Sequence, residues 1–287
     1  MYYLLLIVLY PLAVLPLRVL YVLSDVFYFF VYHVFGYRKE LVLDNLKHAF
    51  PEKSDAEIRS LCAKFYRSFC DQWIEMLKLL TISEKELSKR FTGNWELLEQ
   101  LRIEGRNAYV FLGHTFNWEW ANVASQYNIK QQMAGVYLPL ASKPFDRLVL
   151  KIRKRANGMM VSMRAKKEAF AELNKVQHVL GLIADQNPSN LNNVLWVKFM
   201  GREAPFFIGS AYMAKKGRAA IVLSKIVKIK RGYYQLIMER LCDDASTMDA
   251  EVIVHTYVAH LEEQIRQQPE NWMWTHRRWK HQRPTAQ

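Results

Sequence analysis

The residues whose types and spacing best suit chemistry are Gly113, His114, Asn117 and Glu119, in the run Gly-His-Thr-Phe-Asn-Trp-Glu. They follow Ala108–Leu112, an apolar run of the length of a buried strand. An imidazole can take a proton from a hydroxyl near neutral pH. A carboxylate on its second nitrogen would fix the tautomer and raise its basicity. On one continuous helix His114 and Glu119 would lie about 140° apart. They can meet only if His114 stands on the strand-to-helix turn and Glu119 in the first helical turn. Asn117 and the amides beside it would then lie at the positive end of the helix dipole, where an oxyanion is stabilised. The expected arrangement is a base, His114, with an orienting partner, Glu119. A buried core histidine followed by a helix-start glutamate is the ordinary alternative for such a pair taken alone.

The surrounding pattern supplies elements to position these groups. Ser54-Asp-Ala-Glu57 is a capping box, and apolar residues recur behind it at Ile58, Leu61, Cys62, Phe65, Phe69, Trp73, Met76, Leu77 and Leu80, a helical stripe. Segments 108–112, 133–137, 179–184, 219–227 and 233–238 read as strands. Between and after them, 117–126, 144–156, 165–174, 206–216 and 248–267 read as helices. This alternation predicts an α/β catalytic domain with a central, mostly parallel or mixed sheet flanked by helices. Asp185 ends one strand, and Arg153 and Arg164 lie in a basic stretch. An arginine fork suits a phosphate or a polarised carbonyl.

Composition narrows the classes. The chain has 287 residues, is 51% hydrophobic and carries 40 basic against 27 acidic residues, a net charge of +13. That hydrophobic share excludes a disordered chain, and 11 Gly and 9 Pro exclude a collagen-like one. Three cysteines without CxxC spacing argue against a disulfide scaffold or zinc site, and for a reducing compartment. Phosphate-loop, dinucleotide and nucleophile-elbow motifs are missing, so no cofactor is expected. His276 and His281 have no third ligand nearby, so no metal is expected.

Residues 1–37 hold only two charged side chains, Arg18 and Asp25. They are expected to form a membrane-anchoring segment, with the catalytic domain over 38–287. As one helix, residues 2–23 would reach roughly 33 Å, enough for a bilayer, although Pro11, Pro16 and Arg18 interrupt them. The second apolar run, 26–35, is too short to cross alone. Basic Arg18, Arg38 and Lys39 fall on the far side of the apolar run, which argues against a cleaved signal and places the body on the cytoplasmic side. At the other end, Trp272, Trp274 and Trp279 interleave with Arg277 and Arg278. Alone, this pattern would suit single-stranded nucleic acid. Beside an apolar N-terminus it reads as a membrane-interface segment, with no nucleic-acid partner.

An ordered series of motifs extends the argument. Asn45-Leu46 and Phe50-Pro51-Glu52 come first, then His114 to Glu119, then Val136-Tyr137-Leu138-Pro139 with Lys143-Pro144 and Asp146. Arg153, Arg164, Asp185-Gln186, Phe199-Met-Gly201 and Pro269-Glu-Asn-Trp-Met-Trp-Thr-His-Arg-Arg-Trp-Lys280 follow. Over nearly its whole length the chain resembles the lipid A biosynthesis acyltransferases, lauroyl and myristoyl transferases within the HxxxxD/E acyltransferase superfamily. The resemblance implies a transferase at the cytoplasmic face of the inner membrane. It would move a fatty acyl group from acyl carrier protein, or coenzyme A, to a hydroxyl of a lipid A precursor. In that reading His114 is the general base, Glu119 its partner, and Asn117, Arg153, Arg164 and Asp185 contact substrate. No serine or cysteine nucleophile is needed, because the acceptor hydroxyl attacks the thioester. Leu138 and Lys143 depart from the family's "YRP" and "NP" patterns, which leaves lysophospholipid and aminoacyl-lipid acceptors open. A non-catalytic module binding anionic lipid or nucleic acid is the other alternative.

Overall fold

The computed structural model describes residues 1–164, 167–188 and 190–283. Its first helices are α1 (Tyr2–Val14) and α2 (Leu17–Tyr28), the latter running on through a π-helical turn, Phe29–Val34. The break after Val14 corrects the single helix expected over 2–23. Pro16 cannot continue a helix, having no amide hydrogen, and it stands instead as the N-cap of α2. The two apolar runs are thereby redivided. Leu17–Val34 becomes the helix long and apolar enough to cross a membrane, with a mean hydropathy of 1.4 over 18 residues.

Helices α3 (Lys39–Ala49) and α4 (Asp55–Lys78) follow. The predicted capping box starts α4: the Glu57 amide donates to Ser54 Oγ, and the Ser54 amide donates to Glu57 Oε2. Its apolar stripe is buried at Ile58, Leu61, Cys62, Phe65 and Phe69. The N-terminal segment is docked on this helix rather than detached from it. Ser24 Oγ donates to Asp71 Oδ1 at 2.7 Å, and Lys78 Nζ caps the end of α1 through the Ala13 carbonyl at 2.8 Å. Arg231 bridges Asp25 and Asp71 at 2.7 and 2.6 Å.

After α5 (Glu84–Arg90), β1 (Phe91–Gly93) and α6 (Glu96–Ile103) the chain enters the alternating region. It contains β2 (Ala108–Leu112), α7 (Trp118–Asn128), β3 (Gln132–Tyr137), α8 (Lys143–Arg153), β4 (Met159–Ser162), α9 (Lys167–Leu173) and β5 (His178–Ile183). The expected helix over 165–174 begins on residues outside the described ones. A hairpin, β6 (Val194–Phe199) and β7 (Arg202–Phe207), precedes α10 (Gly209–Lys216), β8 (Ala220–Lys230), β9 (Tyr233–Cys242) and α11 (Ala250–Gln267). Strands β1, β4, β6 and β7 were not foreseen, and the expected helix start at Phe206 is instead the end of β7. The hairpin's two-residue turn holds Met200 and Gly201 at φ of 48° and 84°, a geometry that favours glycine.

Seven strands form one sheet in the order β1-β9-β8-β2-β5-β3-β4. Neighbours are parallel except β8 and β9. The architecture is therefore α/β with a mostly parallel sheet, as expected. Strand β2 lies inside it and is covered on both faces, which explains its unbroken apolar sequence. Tyr109 and Phe111 pack with Tyr257 and Leu261 of α11 on one side. Ala108, Val110 and Leu112 pack with Trp120 and Val123 of α7 and Ile152 of α8 on the other. Strands β2, β5, β3 and β4 all run the same way, so the residues that follow them meet at one edge.

Candidate active site

Past Leu112 the chain turns at Gly113. A Cβ there would fall 2.4 Å from Leu261 Cδ1 and 3.2 Å from Asp185 Oδ2, so a larger residue would have to displace the Leu261 side chain and crowd the Asp185 carboxylate. His114 comes next. Register does the rest: Leu112 pairs with Ile183 between parallel β2 and β5, so residues two beyond each strand end stand side by side. The His114 amide donates to Asp185 Oδ2 at 2.8 Å, and its ring Nδ1 lies 2.5 Å from Asp185 Oδ1. Trp272 Nε1 donates to Oδ2 at 2.7 Å. A carboxylate only accepts, so Nδ1 carries a proton, and in the neutral ring the lone pair is then on Nε2. Burial by itself would raise the Asp185 carboxyl. The charge attraction and hydrogen bonds of His114, with the Trp272 bond, outweigh it and hold the group at about 2.

Glu119 stands in the first turn of α7, buried, but its partner is not His114. It accepts a fork from Arg153, with Nη2 at 2.6 Å and Nε at 3.0 Å, and a further bond from Trp118 Nε1 at 3.0 Å. The expected His114–Glu119 contact is thus replaced by two pairs, His114–Asp185 and Glu119–Arg153. The physical reason is that Asp185, delivered by the adjacent strand, already occupies Nδ1. Burial tends to lower the Arg153 guanidinium, and the Glu119 charge overcomes this and raises it. Arg153 is held from behind as well. Its carbonyl accepts from Asn122 Nδ2 at 3.0 Å and Gln126 Nε2 at 2.7 Å. Gln126 Oε1 accepts from the amides of Ala156 and Gly158 at 3.0 and 2.9 Å, fastening the chain after α8. Sequence reasoning missed Asn122 and Gln126. Their offsets of three and seven from Glu119, one helical face, were the available signal.

Asn117 serves the helix rather than a ligand. Its side chain is fully buried, Oδ1 accepts from the Trp120 amide at 3.0 Å, and Nδ2 donates to Glu75 Oε2 at 2.9 Å. Both ends are used, so the expected substrate contact is corrected to an N-cap. Glu75 was also missed. It is buried among Tyr21, Tyr234 and Asn117, all donors to its carboxyl. Arg164 lies two residues beyond β4, exposed on the same edge of the sheet but on the outermost strand.

The C-terminal tryptophan and arginine strip is corrected more sharply. Trp272, Trp274 and Arg278 are buried, Trp279 is half-buried, and only Arg277 of the five is exposed. The Trp272 ring sits 4.7 Å from that of Trp274 and 5.7 Å from that of Phe199. Arg278 donates to Asn187 Oδ1 at 3.0 Å and the Pro205 carbonyl at 2.8 Å, with its guanidinium 4.1 Å from the Phe206 ring centre. Burial lowers it to about 10. An interfacial belt needs one wet end on each side chain, and Trp272, Trp274 and Arg278 have none. The strip instead seals the turn that carries His114: the Phe116 amide donates to the Asn271 carbonyl at 2.8 Å, and Thr115 bridges to Trp272. His276 is half-buried nearby and is pushed down to about 4, by burial above all, with Asp185 opposing. Among the described residues no three His, Cys, Asp or Glu side chains gather as a metal site.

What remains is an imidazole set against a buried carboxylate, packed on Trp118, whose indole in turn bonds the arginine–glutamate pair, at the C-terminal edge of a parallel sheet. An imidazole held in this way can act as a base, and a guanidinium can offset developing negative charge. No curated protein matches the chain. The sequence model described as bacterial lipid A biosynthesis acyltransferase matches residues 1–281, and the chain belongs to that family.

Proposed function

We propose that the protein is a membrane-bound O-acyltransferase that moves a fatty acyl group from an acyl thioester to a hydroxyl of a lipid A precursor. The observation that carries the reading is the His114–Asp185 pair in a chain of this family. His114 Nε2 takes the proton of the acceptor hydroxyl as its oxygen attacks the thioester carbonyl carbon. The C–O bond forms, the tetrahedral oxyanion collapses, the C–S bond breaks, and the leaving thiolate takes the proton back from the imidazolium. Asp185 stabilises the imidazolium and fixes its tautomer. Glu119 holds Arg153, whose charge faces the developing oxyanion or the acceptor phosphate. Arg164 is assigned to the acceptor, from its place on the same edge.

The donor is acyl carrier protein, an acidic partner suited to a chain of net charge +13, with coenzyme A as the alternative. The site lies on the cytoplasmic face of the inner membrane, following the basic Arg38-Lys39 pair after the apolar helix. Mass spectrometry of total lipids from cells with and without the chain names acceptor and acyl group together. It separates a lipid A precursor from a lysophospholipid or aminoacyl lipid. His114→Ala is expected to lower transfer at least about 100-fold with the fold intact. Full transfer by that variant overturns the reading.

A further inference from the structure

The edge of the sheet that carries His114 also carries an apolar lip. Tyr137 pairs with Ser162 at the ends of β3 and β4, so Leu138 and Met163 emerge side by side, and the Met163 amide donates to the Tyr137 carbonyl at 2.8 Å. Both side chains are more than half exposed, 56% and 59%. Leu140 and Phe145 extend the cluster and are nearly as open. The loop is built, since Asp146 Oδ1 accepts from the Leu140 amide at 2.8 Å and ties it to the first turn of α8. Four large apolar side chains gathered on one edge signal an interaction surface.

Two observations identify what it meets. Exposed Lys143 and Arg147 flank the cluster, so the surface is basic as well as apolar. It is also continuous with the N-terminal helices: α1 packs against α8, and the Arg147 guanidinium lies 4.1 Å from the Tyr2 ring centre. Beyond Tyr2, α1 turns Tyr3, Leu4 and Ile7 outward. An apolar face ringed by cations matches an anionic bilayer, with side chains entering the acyl boundary and lysines and arginines at the phosphates. A second copy of the chain would set these cations against their own kind.

We infer that the Leu138–Phe145 loop, with Met163, inserts into the surface of an anionic bilayer beside α1 and holds the His114 edge of the sheet at the lipid interface. For its purpose the inference rests on the acyl-transfer reading, because an amphiphilic acceptor and its acylated product then reach His114 without leaving the interface. It also gives Leu138, which departs from the family's "YRP" pattern, a role as a membrane contact.

The test uses the full chain in a Cys242→Ser background, with Phe145→Cys or Leu138→Cys carrying an environment-sensitive fluorophore. Vesicles of phosphatidylglycerol and phosphatidylethanolamine contain spin-labelled lipid. Both positions are expected to shift to the blue and to lose intensity roughly twofold, as for residues buried at the acyl boundary. Ile103→Cys, exposed before β2 at the opposite edge, is expected to stay unquenched. If both probes behave like Ile103→Cys while the protein sediments with the vesicles, or if it does not bind them, the inference is overturned. A blue shift that appears without vesicles and grows with protein concentration also overturns it, by showing a second copy on the surface. Insertion is read without turnover. A chain that inserts but transfers nothing therefore removes the acyl-transfer reading and leaves this one standing.

Discussion

Two carboxylates in this protein are equally buried and behave in opposite ways. Asp185, behind the His114 turn, is held at about 2, whereas Glu75, bonded to the Asn117 cap of α7, is raised to about 7. For Glu75, burial dominates and the charge of Asp71 adds to it, while Lys228 and the two tyrosine hydroxyls offset only part. Asp185 has an imidazole to pair with, and the amide and indole bonds point at its charged form. Burial therefore sets only the penalty; the charge of the nearest partner decides the outcome. One region maintains an anion paired with an imidazole. The other is a buttress that ties α2, α4, β9 and the Asn117 cap together.

The comparison breaks most severely at Asp185. In Asp185→Asn an amide of the same shape would present a donor to Nδ1, favour the wrong tautomer and offer no charge to the imidazolium. A loss of about 1,000-fold in kcat is expected with an unchanged circular dichroism spectrum. Wild-type turnover in this variant would show that the anion is not used.

Arg153→Ala probes the second pair at the site. It leaves the Glu119 carboxylate, 3% exposed, without its counter-ion, at a cost of about 3 kcal/mol read from the urea midpoint. Arg153→Lys keeps the charge and loses the fork, so an intermediate loss is expected. Equal stability in all three chains would mean that the pair is not formed in solution.

The effect of Glu75, spread over a pH range, is the smallest at any one pH step. A carboxyl raised from 4.5 to about 7 keeps its proton in the folded state after the unfolded chain has lost its own. Its contribution to stability is full below pH 4.5 and is lost as pH rises to about 7. The slope is at most about 1.4 kcal/mol per pH unit. Unfolding midpoints over this window should fall in the wild type and flatten in Glu75→Gln. Parallel curves would remove the contrast with Asp185. For Asp185 the sign is reversed, with stability present above its ordinary 3.8 and lost as pH falls to about 2.

Much of this fold could be read from local pattern. Strand β2 was bounded correctly because five apolar residues end at a glycine, and α4 because its capping box announces it. The short strands β1 and β4 escaped because three or four residues carry too little periodicity to register. Trp272, Trp274 and Arg278 were misplaced for a different reason. Aromatic and basic residues in alternation look the same whether they face a headgroup or fill a core, and only the Asp185, Asn187 and Pro205 contacts separate the cases.

By itself the sequence determined the alternating α/β plan, the apolar N-terminus and the resemblance to an acyltransferase family, and it singled out His114 as the candidate base, because each rests on residues close together in the chain or on an ordered series of motifs. It could not determine which carboxylate pairs with that imidazole. Glu119 is five residues away and Asp185 is 71. The parallel register of β2 against β5 brings the distant one to Nδ1, while the start of α7 turns the near one toward Arg153. Register is a property of strands that meet only in the folded sheet, so the pairing at the centre of the site was decided there.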